Sequence, residues 1–173
     1  MDFMEKENEA NFQEKLETTY EKFIVSMVGS MYDILNLFEE EVGKEKMIEI
    51  LSEFSDEKGI DSIKKMQDSG NLNIENFDDF KEYLLDELDS DNLKNILSYK
   101  IKEVTDNNFK YTVSECLWAK VLKEFGIEDV GYELVCRKDI VQAKEFNPNI
   151  ELKRKKTLMQ GDDECDFNYV WKE

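Results

Sequence analysis

The chain has 173 residues, of which 40% are hydrophobic and 37% charged, and its formal net charge is −18. A chain of this size and apolar fraction supports one good core or two small packed subdomains, which excludes a disordered polypeptide. Its acidity disfavours nucleic acid and anionic lipid as partners, because phosphate binding depends on clustered Lys and Arg that release counterions.

The charge is unevenly placed, with 26 acidic and 10 basic residues in 1–95. This acidity is either a solvated face that keeps the protein soluble or a docking face for a basic partner. Histidine is absent, which removes Ser-His-Asp and Cys-His catalysis and His-ligated zinc. The amino terminus, MDFMEKENEANFQEKLE, is acidic where a secretory signal is basic and then apolar, and no apolar run approaches the roughly 18 residues of a membrane span. With three cysteines, an odd number, the expectation is free thiols in a reducing, cytoplasmic compartment.

In chain order, Leu16, Tyr20, Phe23, Ile24, Met27, Met31, Leu35, Phe38 and Val42 recur three or four apart. They predict an amphipathic helix ending near Gly43, whose stripe packs within the chain or against a second copy in a homodimer. A second helical segment spans Lys44 to about Gln67, with an interruption expected at Lys58-Gly59. The polar stretch 68–73 precedes a third helix capped by Asn76, with Phe77, Phe80, Leu84 and Leu88 as its buried stripe.

After Leu93 the period changes from helical to alternating, and a β-hairpin is expected over 97–114 around Thr-Asp-Asn-Asn. A short helix follows, burying Leu117, Trp118, Val121, Leu122 and Phe125 and closing at Gly126. Asp129 is the expected cap of a helical stretch over 130–145 that Phe146-Asn147-Pro148 breaks. Ile150–Leu158 and Cys165–Trp171 form a second hairpin around Gln160-Gly161-Asp162-Asp163. The fold class is α+β: a helical half, 1–95, packed on a four-stranded antiparallel sheet of two hairpins with inserted helices, 96–173.

Strand alternation puts Cys165, Phe167, Tyr169 and Trp171 on one face, and Ile150, Leu152, Arg154, Lys156 and Leu158 on one face of the partner strand. An Arg in line with aliphatic residues needs an anionic partner, so Arg154 is a candidate anchor for a substrate carboxylate. The alternative is a basic edge strand that reaches solvent or pairs with the acidic helices. Cys136 and Asp139 lie one turn apart on one side of a helix. A helix beginning at Cys116 would favour its thiolate, the reactive form. Each cysteine taken singly also suits an inert core position. No Cys-x-x-Cys pair marks a zinc site, and neither metal nor cofactor is expected.

The order of pieces from YTVSECLWAK through GYELVCRKD and EFNPNIELKRKK to QGDDECDFNYVW resembles the L-2-amino-thiazoline-4-carboxylic acid hydrolase family. The shared pattern is a strand ending in Cys before an aromatic and Ala, a Gly before Cys-x-x-Asp, Phe-Asn-Pro, a basic strand, and a closing Gly-Asp-Asp-x-Cys-Asp-Phe. The likeness is close over about 95–171 and general elsewhere, and it extends to small-molecule-binding domains of the four-vinyl-reductase type. It implies hydrolysis of a cyclic amidine to N-carbamoyl-cysteine, with a small carboxylate as substrate. The positions it singles out are Cys116, Cys136 and Asp139 for catalysis and Arg154 and Cys165 for binding, to which Tyr132 is added. The competing expectation is a non-catalytic binding or sensor domain, since fold resemblance does not fix reaction.

Overall fold

The computed structural model describes residues 17–172. Helix α1 is Tyr20–Val42; Thr19 Oγ1 accepts from Lys22 N at 3.2 Å at its start, and Gly43 ends it with φ 80°. Leu16, which the sequence places on the same stripe, lies outside the described residues. The stripe is divided: Ile24 and Leu35 are buried, together with Val28, which the stripe did not include, whereas Tyr20, Phe23 and Val42 remain exposed, as do Ile34 and Leu37 beside them.

Helix α2, Lys44–Asp68, runs without the break expected at Lys58-Gly59. Gly59 serves a close approach instead of a turn. A Cβ built there would stand 3.0 Å from Val141 Cγ2 and 3.2 Å from Lys138 Cβ, so the missing side chain is what lets α2 lie against the helix that carries those two residues. Helix α3, Phe77–Asp89, has the expected cap: Asn76 Oδ1 accepts from Asp78 N and Asp79 N, and Asp79 Oδ2 accepts from Asn76 N in return. Its buried residues are Phe77, Phe80, Leu84 and Leu88, as the periodicity predicts.

The short α4, Asp91–Lys94, leads into β1 (Leu97–Val104) and β2 (Asn108–Cys116). Helix α5 is Leu117–Glu124 and ends at Gly126, φ 69°. Helix α6, Glu128–Gly131, begins one residue before Asp129, so Asp129 sits in its first turn, ion-paired with Lys44, and is not the cap. A π-helical turn, Tyr132–Cys136, joins α6 to α7, Lys138–Phe146, which Asn147-Pro148 ends. Strand β3 is only Ile150–Lys153, shorter than the expected 150–158, and β4 is Cys165–Trp171.

The four strands form one antiparallel sheet in the order β1-β2-β4-β3, so the two hairpins are joined by pairing of β2 with β4. This is an α+β fold, with helices leading and the strands towards the carboxyl end. One buried cluster joins α3, α7 and the sheet through Phe80, Phe109, Ala143, Ile150 and Tyr169; a second joins α1, α2, α5 and α6 through Val28, Met47, Val121 and Val130. Cys116 packs against both clusters. Among the described residues no helix is long and apolar enough to cross a membrane.

The Gly59 contact gives a direct test of the packing. A Gly59→Leu substitution should lower unfolding stability by roughly 1–3 kcal/mol by forcing α2 and α7 apart, read as a shift of the urea midpoint; an unchanged midpoint would contradict the close approach.

Candidate functional site

The site begins with the π-helical turn. Its wider winding takes Arg137 N to Tyr132 O at 2.9 Å, five residues back, and Ile140 N then donates to Arg137 O at 3.0 Å, three residues back. Such turns recur at functional sites because they redirect side chains and free backbone groups. Here the Cys136 carbonyl is taken by Arg154 Nη2 at 2.7 Å. The turn is tied to α2 by Arg137, whose Nε and Nη2 donate to the two carboxylate oxygens of Asp56 at 2.8 and 3.0 Å.

Arg154 is the centre of the site. Its Nη1 donates to Asp139 Oδ2 at 2.7 Å, and the guanidinium carbon lies 4.9 Å from the centre of the Phe167 ring. The Arg154 side chain is 3% exposed, which only a partnered charge tolerates. Strand parity ends at Lys153: Lys156, expected on the same face as Arg154, is turned outward and pairs with Asp163 at 2.9 Å. The break is held by Asp166 Oδ1, which accepts from Lys155 N and Lys156 N at 2.8 and 2.6 Å. Of the alternative, a basic edge strand that reaches solvent or pairs with helices, Lys156 follows the first course, whereas Arg154 is buried and pairs with the helix carboxylate Asp139.

Phe167 lies flat on Tyr111, with ring centres 4.5 Å apart and an interplanar angle of 8°, because the β2–β4 register sets these two residues opposite each other. Tyr169 continues the stack on the same face. Above this aromatic floor lies a cavity of about 280 Å³. Cys116, Cys136, Cys165, Asp139 and Arg154 all line it, so five of the six residues singled out in the sequence meet around one hollow. Tyr132 does not: it is half-buried against the second cluster and is absent from the lining.

The remaining lining comes from residues that the sequence offered only as buried positions or did not single out for the site. Phe80, Tyr83, Leu84, Phe146, Gln142 and Trp118 reach it from α3, α7 and α5. Phe167 was within reach, since alternation sets it beside Cys165. Tyr111 was not, since its place depends on an inter-strand register that no local pattern encodes.

Cys165 is buried, and its Sγ accepts from Leu158 N at 3.2 Å. Cys116 stands at the amino end of α5, where the amides of Ala119 and Trp118 face its sulfur without closing a regular cap hydrogen bond. Burial nevertheless pushes all three thiols up, Cys136 to about 12, and the Asp139 carboxylate adds to this. The thiolate expected at Cys116 from the helix dipole is therefore not favoured; desolvation outweighs the dipole. Asp139 is raised by burial against the pull of Arg154. Burial opposes the charge of Arg154, but Asp139 holds its pKa above the ordinary value. Among the described residues no three of Cys, Asp and Glu are grouped to hold a metal ion.

The family model for L-2-amino-thiazoline-4-carboxylic acid hydrolase matches residues 4–169. The chain belongs to this family. The match extends through the helical half, where the motifs gave only a general likeness. No curated protein matches the chain. Among solved structures, a crystal structure of trafficking protein particle complex subunit 3 from Naegleria fowleri, covalently bound to palmitic acid, is similar at 13% identity. That match covers 88% of this chain and 97% of the other, with a TM-score of 0.49.

Raised thiol pKa values carry a sign for stability. The folded chain holds these protons more tightly than the unfolded chain, so the stabilisation is complete below about pH 8.5, the unperturbed thiol value. It is lost as pH rises towards the native values, about 12 for Cys136. Urea midpoints measured from pH 7 to 10.5 should fall above pH 8.5, and Cys136→Ala should flatten that fall; an identical slope in the variant would contradict the burial of this thiol.

Proposed function

We propose that the cavity binds and hydrolyses a small cyclic amidine bearing a carboxylate, of which 2-amino-thiazoline-4-carboxylate is the family's named case. The observation that supports this most is the juxtaposition of Asp139 with Arg154 at the edge of an aromatic floor. Arg154 commits two of its five N–H donors within the protein, leaving three for a substrate carboxylate. Only Oδ2 of Asp139 receives Arg154, so the other oxygen is available to a protonated amidine.

Burial keeps the thiols protonated, so water is the attacking group this arrangement favours over Cys116. Water adds to the ring carbon between nitrogen and sulfur, and Asp139 takes its proton. Collapse breaks the carbon–sulfur bond; the leaving sulfur receives a proton from Asp139, the hydroxyl proton passes to solvent, and the product is N-carbamoyl-cysteine. A second reading, a binder without turnover, is favoured by one observation: the buried charge pair is already neutral before any ligand enters.

Purified protein incubated with 2-amino-thiazoline-4-carboxylate should form N-carbamoyl-cysteine with multiple turnovers, followed by mass spectrometry. Asp139→Asn should lose about 100-fold or more in kcat, whereas Cys116→Ser should stay within a few-fold. Loss of turnover in Cys116→Ser with full activity in Asp139→Asn would reverse the roles. Thermal stabilisation by the compound without product would favour the binder.

A further inference from the structure

A second concavity opens beside the first. It is a cleft of about 470 Å³ on the surface between α4, the start of β1 and α5. Ile96, Leu97 and Cys116 line both the cleft and the buried cavity, so these residues form the wall between them. Cys116 thus has one side towards the aromatic floor and the other towards open solvent. It is half-buried, in keeping with a position between the two.

The charge of the cleft runs against that of the protein. In a chain of −18, its lining holds three lysines, Lys94, Lys120 and Lys123, and one carboxylate, Glu115. The carboxylate is engaged by Ser98 Oγ at 2.5 Å. Lys120 and Lys123 are three apart on α5 and share a side, one turn beyond Cys116 and Ala119. Lys94 pairs with Asp89 and Lys120 with Glu21, both exposed contacts that exchange readily for a better anion. Lys123 is exposed and forms no ion pair among the described residues.

We infer that this cleft is an anion-binding subsite. The ligand is extended: its planar or apolar part occupies the cavity, and a carboxylate or phosphate reaches past Cys116 of the shared wall to lie under Lys94, Lys120 and Lys123. The inference rests on the proposed occupancy of the cavity by a small ligand, and it enlarges the substrate class beyond a single ring acid. Positive potential focused in a concave site raises the local concentration of anions even on a protein of opposite overall charge. The ring carboxylate is met inside by Arg154, so a substrate with a second anionic group would use both sites at once.

The test uses alkylation of Cys116 by two reagents of similar size, anionic iodoacetate and neutral iodoacetamide, with the modified cysteine identified by peptide mass. The ratio of the two rates cancels the thiolate fraction, so it reports the local field and not the thiol pKa. In the folded protein the iodoacetate-to-iodoacetamide ratio at Cys116 should exceed that in the urea-unfolded chain. Lys120→Glu/Lys123→Glu should lower it about five- to tenfold, and Lys123→Glu alone, which breaks no ion pair, about two- to threefold.

Malonate or pyrophosphate should slow iodoacetamide at Cys116 in the wild-type protein and not in the double variant; which of the two protects tells carboxylate from phosphate. A ratio below the unfolded value and unmoved by charge reversal would overturn the inference. So would a shifted ratio without protection by either anion, since that is a general field and not a subsite. Failure of iodoacetamide to reach Cys116 in the folded protein would remove the shared wall itself. None of these readouts depends on turnover, so the subsite and the hydrolase reading fail separately.

Discussion

A guanidinium buried to 3% exposure is the constraint from which the site follows. Taking such a charge out of water costs several kcal/mol, and the cost is offset only where geometry supplies an anion and further acceptors. Arg154 has Asp139, the Cys136 carbonyl and the face of Phe167. These three partners come from α7, from the π-helical turn and from β4. The charge therefore joins the helical layer to the sheet at the point where the cavity lies.

Each partner is itself made available by a local departure from regular structure. The π-helical turn leaves the Cys136 carbonyl for Arg154, Gly59 lets α2 close on α7 behind it, and the early end of β3 frees Arg154 to leave the strand direction. Asp166 stabilises that departure through two backbone amides. Departures of this kind are usual where sequence rules give way to function, since a regular helix and strand would leave the charge without partners.

Much of this was legible in the sequence where the signal is local. The cap at Asn76, the stripe on α3, both hairpins and the inward side of Cys165 follow from residue type and period alone, as does the pairing of Cys136 with Asp139 on one helix side; joining Arg154 to them in one site came from the family resemblance. The unbroken α2 did not, because Gly59 reads as a turn when the helix packed against it is unknown. The placement of Tyr132 also differed. Its helical stretch changes pitch at the π turn, and the ring faces the second cluster while Cys136 faces the cavity. The partnership of Phe167 with Tyr111 depends on the β2–β4 register, a non-local choice.

The site sets a partnered carboxylate among protonated thiols beside aromatic rings, an arrangement that disfavours attack by a thiolate. That account stands on the coupling of Arg154 to Asp139. A double-mutant cycle with Arg154→Met, Asp139→Asn and the pair, read by urea unfolding at pH 7, measures it most directly. The account predicts a coupling of about 2 kcal/mol, with the double variant recovering part of the loss seen in Arg154→Met. Additive effects, within about 0.5 kcal/mol, would contradict it.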